Sequence, residues 1–523
     1  MTFDVVIVGG TVVDGSGAPP FAGDIGVAGG KIAAVGDLTT AEAALHVDAS
    51  GLHVSPGFVD AHVHSELILL ETPIERASLH QGVTTHIVGQ DGFGFGPGNA
   101  STVDFNTRYL RPIYGNPERP FGADGIDGFL GRYERASTVN VATLVPNGNL
   151  RHDLLANAAR VPTGGELRSM QDSCVRAMEE GAVGLSSGLD YTPSGFATTD
   201  ELAAMAQAAS HRGGVYVSHV RYRLGLMHAL AEAVEIGLRA NCPVHISHLR
   251  GDPAKGASTE AILELLDDAG DHGVDVTFDS YPYLYGCTFL AYLLPLWVRE
   301  GNEGDVLGRI SDNDVRDRIR TEIGAELDGW RDITIAGELA SERSDLIGKD
   351  VLAAAEEAHA DPIDFLCDLL AAERMDVMLL GVPSNHPAAE QGMAQLLGDR
   401  RHVFGSDGIF RHGLVHPRAY GGCARFVGRL TRDGALPLEE AVRHATSAPA
   451  ERFGLARRGR ILTGYAADLV VFDAQHLEDA STRDQPHRVA DGVRDVWVNG
   501  VAALRDGAPS GAAPGRALRR DGR

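Results

Sequence analysis

The chain has 523 residues, 44% hydrophobic and 22% charged, with a formal net charge of −25 at pH 7. That is ample material for a large core, and it excludes a collagen-like, disulfide-stapled or disordered polypeptide. So acidic a chain is poorly matched to nucleic acid or an anionic membrane, because both reward clustered Lys and Arg.

Residues 1–50 read as short β-strands between Gly turns, such as VVIVGG and KIAAVG. The start, MTFDVVIVGGTVVDG, has no basic or long apolar stretch, so no secretory signal is expected. Strands then alternate with helical segments, the mark of a parallel βα architecture. Barrel-strand candidates follow at 53–62, 84–89, 139–146, 181–187, 214–219, 242–248, 274–282 and 401–407. Eight is the number a TIM barrel requires. The gap before the last candidate is too long for a structureless loop, so an inserted subdomain is expected there. Segments at 467–473 and 495–500 again read as short strands.

The expected fold is therefore α/β. A (β/α)8 TIM-like barrel at 57–456 is joined to a small β-sandwich domain built from both chain termini, 1–56 and 457–523. No run of about 18 apolar residues spans a membrane. The five Cys are dispersed without a CxxC pair, which suits reduced thiols in a cytoplasm.

Polar groups gather at the predicted strand ends. The first candidate ends in His62-Val63-His64, and alternation puts both imidazoles on one face. The fifth ends in His219, the sixth in His248 and the eighth in Asp407. Each alone reads more simply as a structural residue. Together, at the end of the barrel where such sites are built, they suit Zn²⁺ or a similar divalent ion.

The motifs SPGFVDAHVHSE, GVTTHIVGQDGFGFGP, GAVGLSSGLDYTP, YVSHVRYR, HISHLRG, YPY, GSDG, HPRAYGG and TSAPAERFGL span nearly the whole chain. In order and spacing they resemble the N-acyl-D-amino-acid deacylases (D-aminoacylases) of the amidohydrolase superfamily. The resemblance implies a β-sandwich with a (β/α)8 barrel, and an insertion near 285–345 covering the site. It implies metal ligands at His62, His64, His219 and His248, one or two Zn²⁺ ions, and a general acid/base at Asp407. The implied activity is amide hydrolysis of a small N-acyl-D-amino acid.

Three departures stand out. Many relatives bridge two metals with a carboxylated Lys on strand four, but Lys31, Lys255 and Lys349 all lie away from barrel-strand ends. Where D-aminoacylases carry a ligating Cys, this chain has Asp91 in Gly-Gln-Asp-Gly. Asp91 is expected to be a ligand, the alternative being a turn-forming Asp. After strand three, Asn147 stands near a usual His.

Arg418 matches the family's carboxylate-binding Arg, and Arg250 a substrate-binding Lys. Arg250 is expected to share the face of His248 on an extended strand. Tyr281, Tyr283 and Tyr191 match substrate-contacting tyrosines, with packing as the alternative. Arg221 and Arg223 either meet an acidic substrate side chain or pair with the chain's own carboxylates, the preferred reading. Glu66 either orients His64 or sits at a helix start. The apolar run FLAYLLPLWV reads as a lid underside or as a plain core helix. Rival functions are another amidase of the superfamily, acting on cyclic amides or dipeptides, and a metal-free binding scaffold. A homo-oligomer stays open.

Overall fold

A computed structural model describes residues 2–71, 75–341 and 343–520. Eight parallel strands form its centre: β1 (Phe58–Asp60), β2 (Val83–Val88), β3 (Asn140–Thr143, continued by Val145–Pro146) and β4 (Gly184–Gly188). They are followed by β5 (Val215–His219), β6 (Val244–Ile246), β7 (Val276–Ser280) and β8 (His402–Phe404). Neighbours pair in chain order. The ring closes where Ala61 N–H donates to Phe404 O at 3.0 Å and Val63–His64 pairs with Gly408–Ile409. Alternate strand positions fill the interior with a buried cluster that includes Val59, Ile87, Ala142, Val217 and Val403, joined by Phe453 from the end of helix Ser447–Arg452. That apolar plug supports the polar groups at the strand ends.

The connecting helices follow local signals. Thr163 and Glu166 form a capping box that starts helix Gly164–Glu179. Helix Leu226–Ala240 buries Leu226, Ala229, Leu230, Ala233, Ile236 and Ala240, a stripe of period 3.6, and stops at left-handed Asn241.

The first strand candidate, 53–62, divides in two. His53–Pro56 joins a seven-stranded sheet, flanked by Thr11–Val12 and Leu469–Phe472, while only Phe58–Asp60 enters the barrel. Pro56 has no N–H to continue a ladder. Gly57 then passes so close to Thr84 that a Cβ would stand 2.2 Å from Thr84 Oγ1. The seven-stranded sheet draws strands from both chain ends and faces a four-stranded sheet from residues 3–48. Val5, Ile25, Val27, Val54, Leu469 and Trp497 share the core between them.

Between β7 and β8 the chain builds a three-stranded antiparallel sheet, Cys287–Phe289, Met378–Gly381 and Ile333–Ala336, with the 378–381 strand central. The run FLAYLLPLWV is not a core helix. It forms two short 3₁₀ turns, Leu290–Leu293 and Leu296–Arg299, separated by Pro295. Among the described residues, no helix is long and apolar enough to cross a membrane. All five Cys are free and buried.

Candidate metal centre and substrate cleft

Two groups of donors meet at the C-terminal end of the barrel. His62, His64, Asp91 and Asp407 form one, and Asp91, His219 and His248 the other; within each, the donor atoms lie within 4.8 Å of one another. Asp91 belongs to both. Its Oδ1 stands 3.6 Å from His62 Nε2 and 3.6 Å from His248 Nε2, and its Oδ2 is 3.4 Å from His64 Nε2. Asp407 Oδ1 lies 3.3 Å from His64 Nε2 and 3.7 Å from His62 Nε2.

Three of these donors sit on left-handed backbone: Asp91 (φ 54°), His248 (φ 36°) and Asp407 (φ 51°). Such a conformation costs about 1–3 kcal/mol per residue and persists only where its surroundings hold it. The holders are identifiable at two positions. Asp407 N–H donates to His62 O at 2.7 Å, and His248 N–H donates to Asp279 Oδ1 at 2.8 Å. The sixth strand therefore stops at Ile246 instead of running extended through Arg250, and the shared-face expectation for Arg250 fails at the His248 turn.

Each imidazole has its outer nitrogen anchored. His62 Nδ1 meets Asp279 Oδ2 at 3.2 Å, an oxygen also 3.0 Å from His245 Nε2. His64 Nδ1 lies 3.2 Å from Tyr114 Oη, which donates to Glu66 Oε1 at 2.9 Å. His219 Nε2 is 3.4 Å from Asp190 Oδ2. His248 Nδ1 is 3.3 Å from Tyr222 Oη, which donates to Ser247 O. An ionised carboxylate only accepts, as does a hydroxyl whose hydrogen is already donated, so the outer nitrogens carry the protons. The inner nitrogens are left for a proton or a metal ion. Glu66 thus acts on His64 through Tyr114.

The donor set fits a divalent ion on three observations. His62 Nε2 and Asp91 Oδ1 are buried without a hydrogen-bond partner. His219 Nδ1 and His248 Nε2 face each other at 2.9 Å, which two bare lone pairs tolerate only with a proton or cation between them. The donors are imidazole and carboxylate, the groups that bind zinc at about 2.0–2.2 Å.

The electrostatics agree. Burial opposes the charge of Asp91, yet the nearby imidazoles of His62, His248 and His64 outweigh it and hold its carboxyl well below the usual range. Burial also opposes the charge of Asp407, and Arg418 with the His cluster outweighs it. His64 is raised to about 9: burial lowers it, but Asp407 and Asp91 prevail.

Arg418 is 0% exposed. Its Nη2 contacts Asp407 Oδ2 at 2.8 Å and Cys287 O at 3.2 Å, and its guanidinium lies 4.5 Å over the Tyr281 ring. Its Nε and Nη1, and Arg250 Nη1, are buried without partners. Of these, Arg418 Nη1 faces Gly286 together with the other terminal nitrogen of Arg250: a Cβ placed there would lie 3.9 Å from Arg250 Nη2, 3.9 Å from Arg418 Nη1 and 3.3 Å from Tyr281 Oη. Tyr191 packs on His219 at 4.7 Å and shares a hydrogen bond with Thr288. Tyr283 is turned elsewhere, with its hydroxyl donating to Asp479 and its ring under Arg425. Arg221 pairs with Glu232 and donates to Gly195 O and Ala197 O, whereas Arg223 lies over the Tyr292 ring. Asn147 is buried, and neither polar atom of its side chain has a partner.

A family model described as the amidohydrolase family matches residues 46–503. The chain belongs to the amidohydrolase family. It is 33% identical to D-aminoacylase of Alcaligenes xylosoxydans xylosoxydans, over 99% of this chain and 98% of that one. It is 34% identical to N-acyl-D-glutamate deacylase of the same organism, over 99% and 97%. A crystal structure of N-acyl-D-glutamate deacylase from Bordetella bronchiseptica, complexed with zinc and a phosphonate mimic of the tetrahedral intermediate, superposes with a TM-score of 0.83. That pair is 30% identical, and 99% of this chain and 100% of the other are covered.

Among the described residues of this amidohydrolase, Lys255 pairs with Asp252, Lys349 with Glu357, and Lys31 lies on the four-stranded sheet. Strand β4 ends Ser186-Ser187-Gly188, and Ser186 Oγ donates to Gly89 O. Sequence reasoning missed Asp279, Asp190, Tyr114 and Tyr222. Asp279 had a signal, an acid inside the strand VTFDS. Tyr114 had none, because it reaches His64 from helix Arg111–Tyr114, 50 residues downstream.

Proposed function

We propose that this chain is a metal-dependent N-acyl-D-amino-acid deacylase that splits a small N-acyl-D-amino acid into a carboxylate and a free D-amino acid. The observation that carries the reading is the set of four imidazoles, each tied outward, whose inner nitrogens converge on Asp91 and Asp407. We assign His62, His64, His219, His248 and Asp91 as the holders of one or two Zn²⁺ ions. Asp91 stands where both donor groups meet, and its two oxygens face different partners.

When bound, the ion polarises the amide carbonyl and lowers the pKa of water. Asp407 supplies the proton chemistry. Its Oδ2 is tied to Arg418, which leaves Oδ1 to accept the proton of the attacking water and return it to the amide nitrogen as the C–N bond breaks. The water's hydroxyl ends on the acyl carbon, and the amine leaves protonated. Arg418 and Arg250, whose guanidinium groups meet beside Gly286 and each keep an unpartnered N–H, hold the substrate carboxylate in a charge-assisted fork. Tyr281 lines that fork and Tyr191 flanks the scissile bond. Tyr283 braces the wall, since its hydroxyl is engaged by Asp479.

The barrel corresponds to 57–456 in this reading, and the β domain to 1–56 and 457–523. The segment from about 285 to 345 is a lid, tied by its sheet to 378–381. Free buried thiols support a cytoplasmic location. A panel of N-acyl-D-amino acids, their L enantiomers and cyclic ureides, run with zinc, tests the function. Preferential release of D-amino acids is expected. Turnover of the ureides alone would assign the site to cyclic amides instead.

A further inference from the structure

Asp190 lies two residues beyond β4, and its carboxylate is shared between two structural units. Oδ2 receives His219 Nε2 at 3.4 Å and Tyr292 Oη at 3.2 Å. His219 is one of the inward donors, whereas Tyr292 belongs to the inserted segment. The backbone of Asp190 is held from the same side: Arg299 Nη2 donates to its carbonyl at 3.0 Å. Tyr191 repeats the link, with its hydroxyl 3.0 Å from Thr288 Oγ1 and its ring 4.7 Å from His219. Residues 190 and 191 therefore hold His219 on one face and are themselves held by 288–299 on the other.

The two donor groups differ in this respect. His62 and His64 are anchored by Asp279, Tyr114 and Glu66, none of which is in the inserted segment. His219 alone has its outer nitrogen fixed by a carboxylate that also binds the segment. We propose that Asp190 and Tyr292 are a positioning pair for the ion held by Asp91, His219 and His248, so that retention of that ion and seating of residues 287–299 on the barrel mouth support each other. The inference rests on the metal reading above. Linkage makes it reciprocal: an ion held better by the seated segment must stabilise the seated segment equally.

The test uses the zinc-loaded full chain as wild type, Asp190→Ala, Tyr292→Phe and Tyr114→Phe. Ion loss is followed by chelator competition with metal counting, and residues 287–299 by hydrogen exchange. In Asp190→Ala one ion should leave at about 10- to 100-fold lower chelator concentration while the other is unchanged, the usual cost of losing an outer partner. Tyr292→Phe should shift the same ion by less, and Tyr114→Phe should shift the other. Segment 287–299 should exchange faster in stripped than in loaded wild type, and fast in both states of Tyr292→Phe. A general loosening would move both ions together and would overturn the proposal. So would two ions indifferent to Asp190→Ala and Tyr292→Phe, or exchange at 287–299 indifferent to zinc. Wild type that takes up no zinc would overturn the metal reading as well. Tyr292→Phe, which removes one oxygen, carries the test alone should Asp190→Ala not fold.

Discussion

The carboxylate fork can be probed at Gly286, a position beside it that has no side chain. Gly286→Ala places a methyl group 3.3 Å from Tyr281 Oη and 3.9 Å from both Arg250 Nη2 and Arg418 Nη1. That is the space the substrate carboxylate needs to reach the two guanidinium groups. The backbone at 286 lies outside the left-handed region, so Ala meets no conformational penalty. Loss of Gly freedom in the unfolded chain stabilises by about 0.4–1 kcal/mol, offset by the 3.3 Å contact. Displacing the carboxylate from one charge-assisted hydrogen bond costs about 1.5–3 kcal/mol, or about 10- to 150-fold in binding. The assay is steady-state hydrolysis of an N-acetyl-D-amino acid, together with the inhibition constant of the free D-amino acid and a melting curve. KM and the inhibition constant should rise together by that factor with an unchanged melting temperature. Unaltered constants in a folded variant would refute the placement of the fork.

Asp407→Asn keeps an oxygen in place but removes the proton acceptor, so kcat should fall by about 10²- to 10⁴-fold; a metal-loaded variant with near wild-type turnover would contradict the base assignment. Loading of the ion-free protein near pH 7 should release about two protons, because His64 is raised to about 9 and His62 also lies above its ordinary value: burial opposes both charges, but Asp279 and Asp91 around His62, and Asp407 and Asp91 around His64, prevail. Raising the pH removes those competing protons, so affinity should climb towards pH 9, which calorimetry in two buffers of different ionisation enthalpy can follow. Gly57→Ala should lower the urea midpoint by the equivalent of about 1–3 kcal/mol, because its Cβ meets Thr84 at the junction between sheet and barrel.

The barrel was legible because its signal is repeated: strands alternate with helices, and the first, fifth, sixth and eighth candidates end in His or Asp. His62, His64, His219, His248 and Asp407 could be picked out because chain order alone puts strand ends together. Asp91 was expected as a ligand only because the resemblance sets it where D-aminoacylases carry a Cys; the Gly-rich turn by itself reads as an ordinary use of Asp. The failures share a cause, which is that periodicity assumes extended backbone. It could not anticipate the left-handed turns at His248 and Asp407, so the route to Arg250 was misjudged. It ran two strands together across Gly57, where the break comes from a neighbour, Thr84. Tyr283 matched a motif, but its hydroxyl is claimed by Asp479, 196 residues away in sequence. The anchors of the imidazoles were hidden for the same reason, since Asp190 and Tyr114 gain meaning only from what the fold places against them.

The central claim is that the converging imidazoles and carboxylates hold an ion without which the amide is not cleaved. The most direct measurement titrates zinc into chelator-stripped protein while recording the release of free amino acid from an N-acyl-D-amino acid. The account predicts no release from stripped protein and recovery that saturates at one or two ions per chain. Full activity in the stripped protein, or none after stoichiometric zinc uptake across a broad D-substrate panel, would contradict it.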